Sequence, residues 1–430
     1  MRLNYLIVYR KLSEDEMLLD MTYIMEHYKN KDAYDSVMQA LHKLVYNLLS
    51  EAGENGFYGN LWHCHLAHLM VNDENAYSMA CEIRGNCEGT INEAVLHDFR
   101  ILREFFAYDF GEMERFLKLE SLKMVLDYHG NTSKSGVYNM RIRDRICTLA
   151  KNLEESTDET EMKEAVTAFY GDFGVGRFGL HKSFRIQHDA SGVSIVPILN
   201  IAHVYLEDLI GYESQKAKLI ENTEAFVEGR VANNCLLFGD AGTGKSSAIK
   251  GIINRYYDKG LRIIEVYKHQ FCDLNDVIAR IKNRNYRFIL YMDDLSFEEF
   301  ETEYKYLKAV IEGGLEKKPE NVLIYATSNR RHLIKETTQD KADYQEDLHR
   351  NDTVQEKMSL VARFGVTIYF PSPQKKEFEQ IVLGLAERSH IDMPEEELLL
   401  LANQWELNHT GKSGRVARQF IDHLCGKKED

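Results

Sequence analysis

Apolar side chains recur at three- and four-residue spacing through much of the first 180 positions. The clearest stripe lies within a helix predicted over 32–53, with Gly53 at its C-terminal cap, and comprises Val37, Leu41, Leu44 and Leu48. Similar stripes predict helices over 93–110, 112–128 and 140–153. The first proline is Pro197, so the strongest helix breaker is missing from this region. We therefore predict an α-helical N-terminal domain over 1–186.

From Ile198 the pattern changes to short apolar runs that alternate with helical segments. The runs that predict buried strands are 234–238, 261–267, 286–292, 321–327 and 366–370. Such alternation is typical of an α/β domain whose parallel sheet carries helices on both faces. We place this domain at 198–373 and a helical lid at 374–430. The polar, glycine-containing stretch 187–197 is the expected linker.

A glycine-rich loop follows the first of these predicted strands and precedes a predicted helix. Its residues are Gly239, Asp240, Ala241, Gly242, Thr243, Gly244, Lys245 and Ser246. They match Gly-x-x-x-x-Gly-Lys-Ser/Thr, the pattern of a loop whose backbone N–H groups surround phosphates. Lys245 is expected to reach the β- and γ-phosphates, and the Ser246 hydroxyl to hold Mg²⁺. We call 239–246 the phosphate loop.

Polar side chains end two of the buried strands. Asp293 and Asp294 follow 286–292, and Asn329 follows 321–327. Buried charge is costly unless it is used, although solvated carboxylates at a strand-end turn are the alternative. Beside a phosphate loop, Asp293 is expected to bind the Mg²⁺ shell and Asp294 to orient the attacking water. Asn329 could hydrogen-bond that water or the γ-phosphate, although asparagine is also a common turn residue.

Two arginines stand in positions that suggest contact with an anion. Arg363 precedes the last predicted strand and is either an ordinary surface residue or a charge presented to a neighbouring subunit's nucleotide. Arg415 lies in the first turn of a helix capped by Ser413, where a cation opposes the helix dipole. A bound phosphate would explain that placement. Arg418 follows one turn later.

Two other motifs favour structural interpretations. His63, Cys64, His65 and His68 resemble a metal-binding set, but they lie in an aromatic and apolar helix without a second ligand pair at a zinc-like spacing. The run Gly174–Gly179 matches Gly-x-Gly-x-x-Gly, but no strand precedes it, so a turn at a domain junction is favoured.

Composition restricts the classes of protein. The chain has 430 residues, 44% of them apolar, and a formal net charge of −15, which disfavours a surface that coats nucleic acid. Seven scattered cysteines without a signal peptide indicate reduced thiols and a cytoplasmic location. No apolar run is long enough for a membrane span.

In this order the motifs resemble those of an AAA+ ATPase. The stretches YMDDLSFEEFETEYKYLKAVIEGGLE, NVLIYATSNRRHLI and SGRVARQFIDHL are similar to an uncharacterised bacterial ATP-binding family known as domain-of-unknown-function family 815. The similarity continues backwards through LEDLIGYESQKAKLIENTEAFVEG and touches the N-terminal region at NDENAYSMACE and GVGRFGLHKSFRI. It therefore covers most of the chain.

The resemblance implies a five-stranded parallel sheet with a helical lid. It implies that the phosphate loop is Walker A, that ILYMDD is Walker B, and that Asn329, Arg363 and Arg415 are sensor 1, an arginine finger and sensor 2. It also implies that ATP is bound, with Ser247 beside its phosphates and with its adenine near Leu209, Ile210 and Gly211. Walker B usually ends in Glu, whereas Asp294 is one methylene shorter, which is expected to slow water activation.

Three functions remain open at this point. The first is a Mg²⁺-dependent ATPase that forms homo-oligomers through Arg363 in trans and engages an unknown client with its N-terminal domain. The second is an ATP-dependent conformational switch with negligible hydrolysis, which Asp294 favours. The third is a loader acting on nucleic acid, which the acidic charge disfavours. The roles of the N-terminal domain and of the charged insert 335–352 are not predicted.

Overall fold

The structure is a computed structural model. It describes residues 3–118, 121–130, 139–189, 192–198, 204–297, 303–312, 319–329, 360–409 and 411–426. The insert 335–352, Glu298 and Glu299 lie outside the described residues. The chain forms two compact units, Met1–His181 and Lys182–Asp430. No described helix is both long and apolar enough to cross a membrane.

The first unit is α-helical around one apolar core. Its described helices are α1 (Glu16–His27), α2 (Tyr34–Asn55), α3 (Leu61–Asn72), α4 (Ala76–Arg84), α5 (Ile91–Phe106), α6 (Phe110–Leu117), α7 (Ser121–Leu126), α8 (Met140–Glu155), α9 (Glu159–Phe173) and α10 (Gly176–Leu180). The stripe predicted in α2 is buried in this core. The helix runs past Gly53 and ends at Asn55, and the next residue, Gly56, has the left-handed φ of 75° of a C-terminal cap.

Two predicted boundaries in this unit are wrong for one reason. The stripes over 93–110 and 112–128 predict two helices, but α5 ends at Phe106 and α6 begins at Phe110. The Asp109 side chain accepts a hydrogen bond from the Gly111 N–H at 2.8 Å, so it caps the start of α6. The apolar periodicity continues across Asp109, so it does not reveal that one helix ends and another begins there.

The Gly174–Gly179 run follows the C-terminus of α9 and overlaps α10, and a helix, not a strand, precedes it. The carboxylate of Glu82, which is buried, accepts a hydrogen bond from the Val175 N–H at 2.8 Å. A Cβ on Gly179 would lie 2.7 Å from the Gly174 carbonyl carbon. The glycines therefore serve close backbone packing.

The histidines of α3 contact carboxylates. His65 is buried, and its Nδ1 and Nε2 lie 2.8 Å from Glu51 and 3.1 Å from Asp15. His68 Nδ1 lies 2.7 Å from the other oxygen of Glu51. Burial lowers the pKa of His65, but the hydrogen bonds to the two carboxylates outweigh it and raise the pKa to about 9. This ionic cluster joins α1, α2 and α3.

Stability of this unit is expected to fall as the pH rises from 7 to 9.5. A histidine whose pKa is raised by folding stabilises fully below its unfolded pKa of about 6.5, and that contribution is lost as the pH rises through about 9. The loss over this range is about 2 kcal/mol. Urea unfolding can be followed by Trp62 fluorescence in a Trp405→Phe background, since the chain has two tryptophans. If His65→Gln shows the same pH slope, the cluster is not its source.

The second unit is built on one sheet. Its strands are β1 (Ser183–Asp189), β2 (Gly192–Pro197), β3 (Cys235–Gly239), β4 (Leu261–Glu265), β5 (Arg287–Met292), β6 (Val322–Ser328) and β7 (Val366–Phe370). Their order is β2-β1-β4-β5-β6-β3-β7. The five strands from β4 to β7 along this order are parallel, as predicted. Their carboxyl ends meet at one edge, because parallel strands share a direction.

The hairpin β1–β2 corrects two expectations. Residues 187–197, predicted as a linker, mostly belong to this hairpin, and the described sheet has seven strands instead of five. β1 pairs with β4 in parallel and with β2 in antiparallel orientation. Alternate apolar side chains are buried, namely Phe184, Ile186, Val193 and Ile195. That period-two alternation is the strand signal, and the polar turn between the strands conceals it.

Helices cover this sheet and form the lid. They are α11 (Glu213–Val227), α12 (Lys245–Tyr256), α13 (Leu274–Ile281), α14 (Glu303–Glu312), α15 (Lys375–Arg388), α16 (Glu395–Leu407) and α17 (Gly414–Gly426). The last three share a separate apolar core that includes Phe378, Val382 and Phe420. The Ser413 hydroxyl accepts a hydrogen bond from the Val416 N–H at 3.2 Å, so it caps α17 as predicted.

Candidate functional site

The phosphate loop is attached to the end of β7. Gly239 has a φ of 137°, and a Cβ there would lie 2.0 Å from the Phe370 carbonyl oxygen. The Asp240 N–H donates to that same oxygen at 3.2 Å, and the Asp240 carboxylate accepts from the Ser372 N–H at 2.8 Å. The first loop glycine is therefore required by close backbone approach.

Two further glycines bring other segments against the loop. Gly244 has a φ of 94°, and a Cβ there would lie 2.3 Å from a methyl carbon of Leu209. Gly242 has a φ of 75°, and its carbonyl accepts a hydrogen bond from the Arg415 N–H at 3.1 Å. The start of α17 thus contacts the loop directly, which puts Arg415 beside the predicted phosphate position.

Lys245 is the first residue of α12, and only 6% of it is exposed. Its Nζ donates to the carbonyls of Gly239 at 3.0 Å and Asp240 at 2.6 Å. Burial lowers the pKa of Lys245, against the charges of Asp240, Asp294 and Asp293. The ammonium group is therefore held inside the loop.

Asp293 lies beyond the end of β5, where it accepts two hydrogen bonds on one oxygen. Ser246 Oγ donates to Oδ1 at 2.7 Å, and Thr327 Oγ1 donates to the same atom at 2.6 Å. Burial raises the pKa of Asp293, but these hydrogen bonds outweigh it and hold the pKa below its ordinary value. The Ser246 hydroxyl and the ionised Asp293 carboxylate are oxygen ligands of the kind that Mg²⁺ prefers.

Asp294 has a left-handed backbone, with a φ of 50°. Its Oδ1 accepts a hydrogen bond from Asn329 Nδ2 at 2.8 Å, and its N–H donates to Thr327 Oγ1 at 2.9 Å. The ends of β5 and β6 therefore bring together the two residues that the sequence analysis assigned to the attacking water.

A cavity of about 560 Å³ opens between the loop, the ends of β5 and β6, and the lid. The predicted site residues that line it are Leu209, Ile210, Ala241, Gly242, Thr243, Gly244, Lys245, Ser246, Ser247, Asp293, Asp294, Asn329 and Arg415. The other predicted site residues are not among the described residues that line the cavity, namely Gly211, Gly239, Asp240 and Arg363. Gly239 and Asp240 instead shape the loop.

The lining residues that were not assigned to the site from sequence include Tyr212, Thr327, Ile381 and Leu385. Ile381 and Leu385 belong to a visible apolar stripe of α15, but periodicity does not tell which members face a cavity. Thr327 stands in an unbroken buried strand and carries no signal of its own, although it precedes Asn329 by two residues. Arg418, one turn after Arg415, also lines the cavity.

The segment before α11 joins the sheet to the lid. Leu209 packs against the core beneath the sheet, whereas Ile210 packs against the lid core. A Cβ on Gly384 of α15 would lie 2.6 Å from Ile210 Cδ1. Lys216 Nζ donates to the Leu209 carbonyl at 2.8 Å. Consecutive side chains therefore couple the two layers at the cavity wall.

Arg363 contacts Glu312 of α14 through its guanidinium group. The Arg363 side chain is partly exposed, at 26%.

These features define the class of protein. Five parallel strands, a phosphate loop between β3 and α12, carboxylates after β5 and a helical lid form the nucleotide-binding module of the AAA+ P-loop proteins, as the sequence resemblance implied. The chain belongs to the family described as "Protein of unknown function (DUF815)", whose model matches residues 180–428. A comparison with curated proteins finds no match.

Similar solved structures include RuvB, the Holliday junction branch migration motor of Thermotoga maritima. That chain is 16% identical, with 51% of this chain and 64% of RuvB covered at a TM-score of 0.37. A Pro-to-Gly mutant of RuvB is 16% identical, with 52% and 66% covered at 0.38. This chain spans less than two thirds of those RuvB chains. A likeness at this level carries no argument about function.

Proposed function

We propose that this protein is a Mg²⁺-dependent ATPase that couples ATP binding and hydrolysis to assembly or to remodelling of a client. One observation carries the proposal. Ser246 and Asp293 form one hydrogen-bonded pair, Asp294 and Asn329 form another, and both line the cavity that holds Lys245. These are the parts that phosphoryl transfer to water requires.

Each side chain has a role that follows from its contacts. Lys245 would exchange its loop carbonyls for the β- and γ-phosphate oxygens. Ser246 and Asp293 would hold Mg²⁺, which, when bound, neutralises charge on the phosphates. Asp294 would accept a hydrogen bond from the attacking water, and Asn329 would keep the Asp294 carboxylate in place. Arg415 would contact the phosphates from the lid.

The apolar part of the cavity lining suits a nucleotide base. Leu209, Ile210, Ile381 and Leu385 supply apolar side chains, and Tyr212 adds an aromatic ring. Binding pockets of this kind combine apolar walls with a few polar groups that set orientation. Because these residues come from the segment before α11 and from the lid helix α15, base binding would hold the lid against that segment.

A slow ATP-dependent switch is the second candidate. Asp294 is one methylene shorter than the usual Glu, so its carboxylate would reach less far towards the attacking water and activate it more slowly. Phosphate release from ATP by the purified chain separates the two candidates. If the protein is an ATPase, phosphate release in the presence of Mg²⁺ must exceed that of protein-free buffer, and EDTA must abolish the difference. Tight ATP binding without such phosphate release would exclude the ATPase and favour the ATP-dependent switch.

Assembly in ATP is expected to depend on Arg363. Arg363 is partly exposed, contacts Glu312 and is not among the described residues that line the cavity. To act in trans, it would exchange the contact with Glu312 for a neighbouring subunit's nucleotide. With a non-hydrolysable ATP analogue, the wild type is expected to elute as a larger assembly than without nucleotide. Arg363→Ala should shift that assembly towards monomer without loss of ATP binding.

Lys218→Ala, an exposed charge change on α11, is the control for assembly. If wild type and Arg363→Ala have the same mass in both states, Arg363 does not act in trans.

A further inference from the structure

Thr327 lies where it can contact both Asp293 and Asp294. β5 and β6 are parallel neighbours in which Met292 pairs with Ala326, so the next residues of the two strands, Asp293 and Thr327, lie side by side. Thr327 is only 1% exposed, yet it lines the cavity. A buried hydroxyl needs hydrogen-bond partners, and those of Thr327 are the two consecutive aspartates.

The Thr327 hydroxyl both donates and accepts a hydrogen bond. Its proton is donated to Asp293 Oδ1 at 2.6 Å, and its oxygen accepts the Asp294 N–H at 2.9 Å. A hydroxyl has a single proton to donate, so both interactions constrain its rotamer at once. One side chain thus fixes the carboxylate of one aspartate and the backbone of the next.

The backbone of Asp294 needs such a constraint. A φ of 50° is unfavourable by about 1–2 kcal/mol for a residue with a Cβ, so it must be held by its surroundings. The Asp294 N–H is bonded to the Thr327 hydroxyl, and the Leu295 N–H is bonded to the Thr327 carbonyl at 2.7 Å. The left-handed turn directs the Asp294 carboxylate to Asn329.

We propose that Thr327 is a positioning residue for hydrolysis, because its hydroxyl sets the Asp294 turn and the Asp293 carboxylate together. The proposal rests on the ATPase function proposed above. The proposal assigns this role to the hydroxyl group alone. Thr327→Ser retains the hydroxyl, whereas Thr327→Val replaces the hydroxyl with a methyl group of nearly the same size. The Ser and Ala variants form a second pair that differs only in the hydroxyl.

Hydrogen exchange tests the positioning in the ligand-free protein. In Thr327→Val the Asp294 amide loses its acceptor, and its exchange is expected to accelerate at least about tenfold. The Leu295 amide is the internal reference, since its acceptor is a backbone carbonyl that both variants keep. Thr327→Ser should protect both amides. Equal acceleration at both positions in Thr327→Val would mean general loosening and would overturn the proposal.

Kinetics test the consequence for turnover. Thr327→Val is expected to lower kcat by about 10- to 100-fold, with the Kd for ATP in EDTA changed by less than about threefold, since the loop binds the phosphates without Thr327. Thr327→Ser should restore most of kcat. A Ser variant as slow as the Val variant, or a Val variant as fast as wild type, would refute the role of the hydroxyl.

These experiments distinguish failure of the proposed ATPase function from failure of the proposed role of Thr327. If the wild type releases no phosphate above buffer while the Asp294 amide responds to Thr327→Val, the ATPase function is wrong and Thr327 positions a binding site only. If the wild type hydrolyses ATP and the amide does not respond, the role of Thr327 is wrong and the ATPase stands. Should Thr327→Val fail to fold, the Ser and Ala pair gives the same comparison.

Discussion

Lys245→Ala is expected to lower phosphate release from ATP by on the order of 10²- to 10³-fold. The Lys245 ammonium is nearly buried and is held by the carbonyls of Gly239 and Asp240, so it stands inside the loop before the phosphates arrive. A charge that already lies in the loop can stabilise developing phosphate charge once the ammonium exchanges the two carbonyls for phosphate oxygens. Alanine removes that charge and shortens the side chain beyond reach. Initial rates of phosphate release at saturating Mg²⁺ and ATP measure the effect.

Lys218→Ala is the matched control, because it removes an exposed lysine of the same unit and should leave the rate unchanged. The affinity for ATP should also weaken in Lys245→Ala, which equilibrium binding of a fluorescent ATP analogue would show. Phosphate release that is equal in wild type and Lys245→Ala would mean that the measured activity does not come from this site.

Asp98→Ala is expected to lower the free energy of unfolding of the N-terminal unit by about 4 kcal/mol. Asp98 lies in α5 and is 0% exposed. Its oxygens accept the backbone N–H groups of Ile7, Val8 and Tyr9 at 2.7–2.9 Å. Alanine would leave three N–H groups of the N-terminal segment without their acceptor, and hydrogen bonds to a charged group are among the strongest. Urea unfolding followed by Trp62 fluorescence in the Trp405→Phe background measures the change.

The matched control is Asp158→Ala at the start of α9. Asp158 also accepts two backbone N–H groups, those of Thr160 and Glu161, but it does so in solvent. Its loss should cost about 1 kcal/mol, the usual value for an N-terminal cap. If Asp98→Ala costs no more than Asp158→Ala, burial does not strengthen these hydrogen bonds as proposed.

Local patterns predicted most elements of the second unit. The strand over 366–370 matches the structure at both ends. It is a short apolar run bounded by Gly365 and Pro371. The end of α2 was misplaced because Gly53 and Gly56 are equally good caps locally, and only the folded backbone puts the left-handed conformation at Gly56. The hairpin β1–β2 was missed because β1 completes the sheet only by pairing with β4, far along the chain.

The residues of the candidate site also fall into those that local sequence patterns predicted and those that only the structure identified. The phosphate loop could be proposed from the sequence, because its glycines and Lys245 belong to one continuous segment. Asp293, Asp294 and Asn329 were predicted as strand-end groups, and the structure brings Asp294 and Asn329 to 2.8 Å. Thr327 was missed, because a threonine within a buried strand is ordinary β-sheet composition.

By itself, the sequence determined the phosphate loop, the alternation of strands and helices, the helical lid and the family. These depend on spacing between near neighbours, which the covalent chain sets. Only the tertiary structure decided that α17 contacts Gly242, that Arg363 contacts Glu312, and that Thr327 holds both aspartates. These depend on strand order and packing, which bring together residues far apart in sequence.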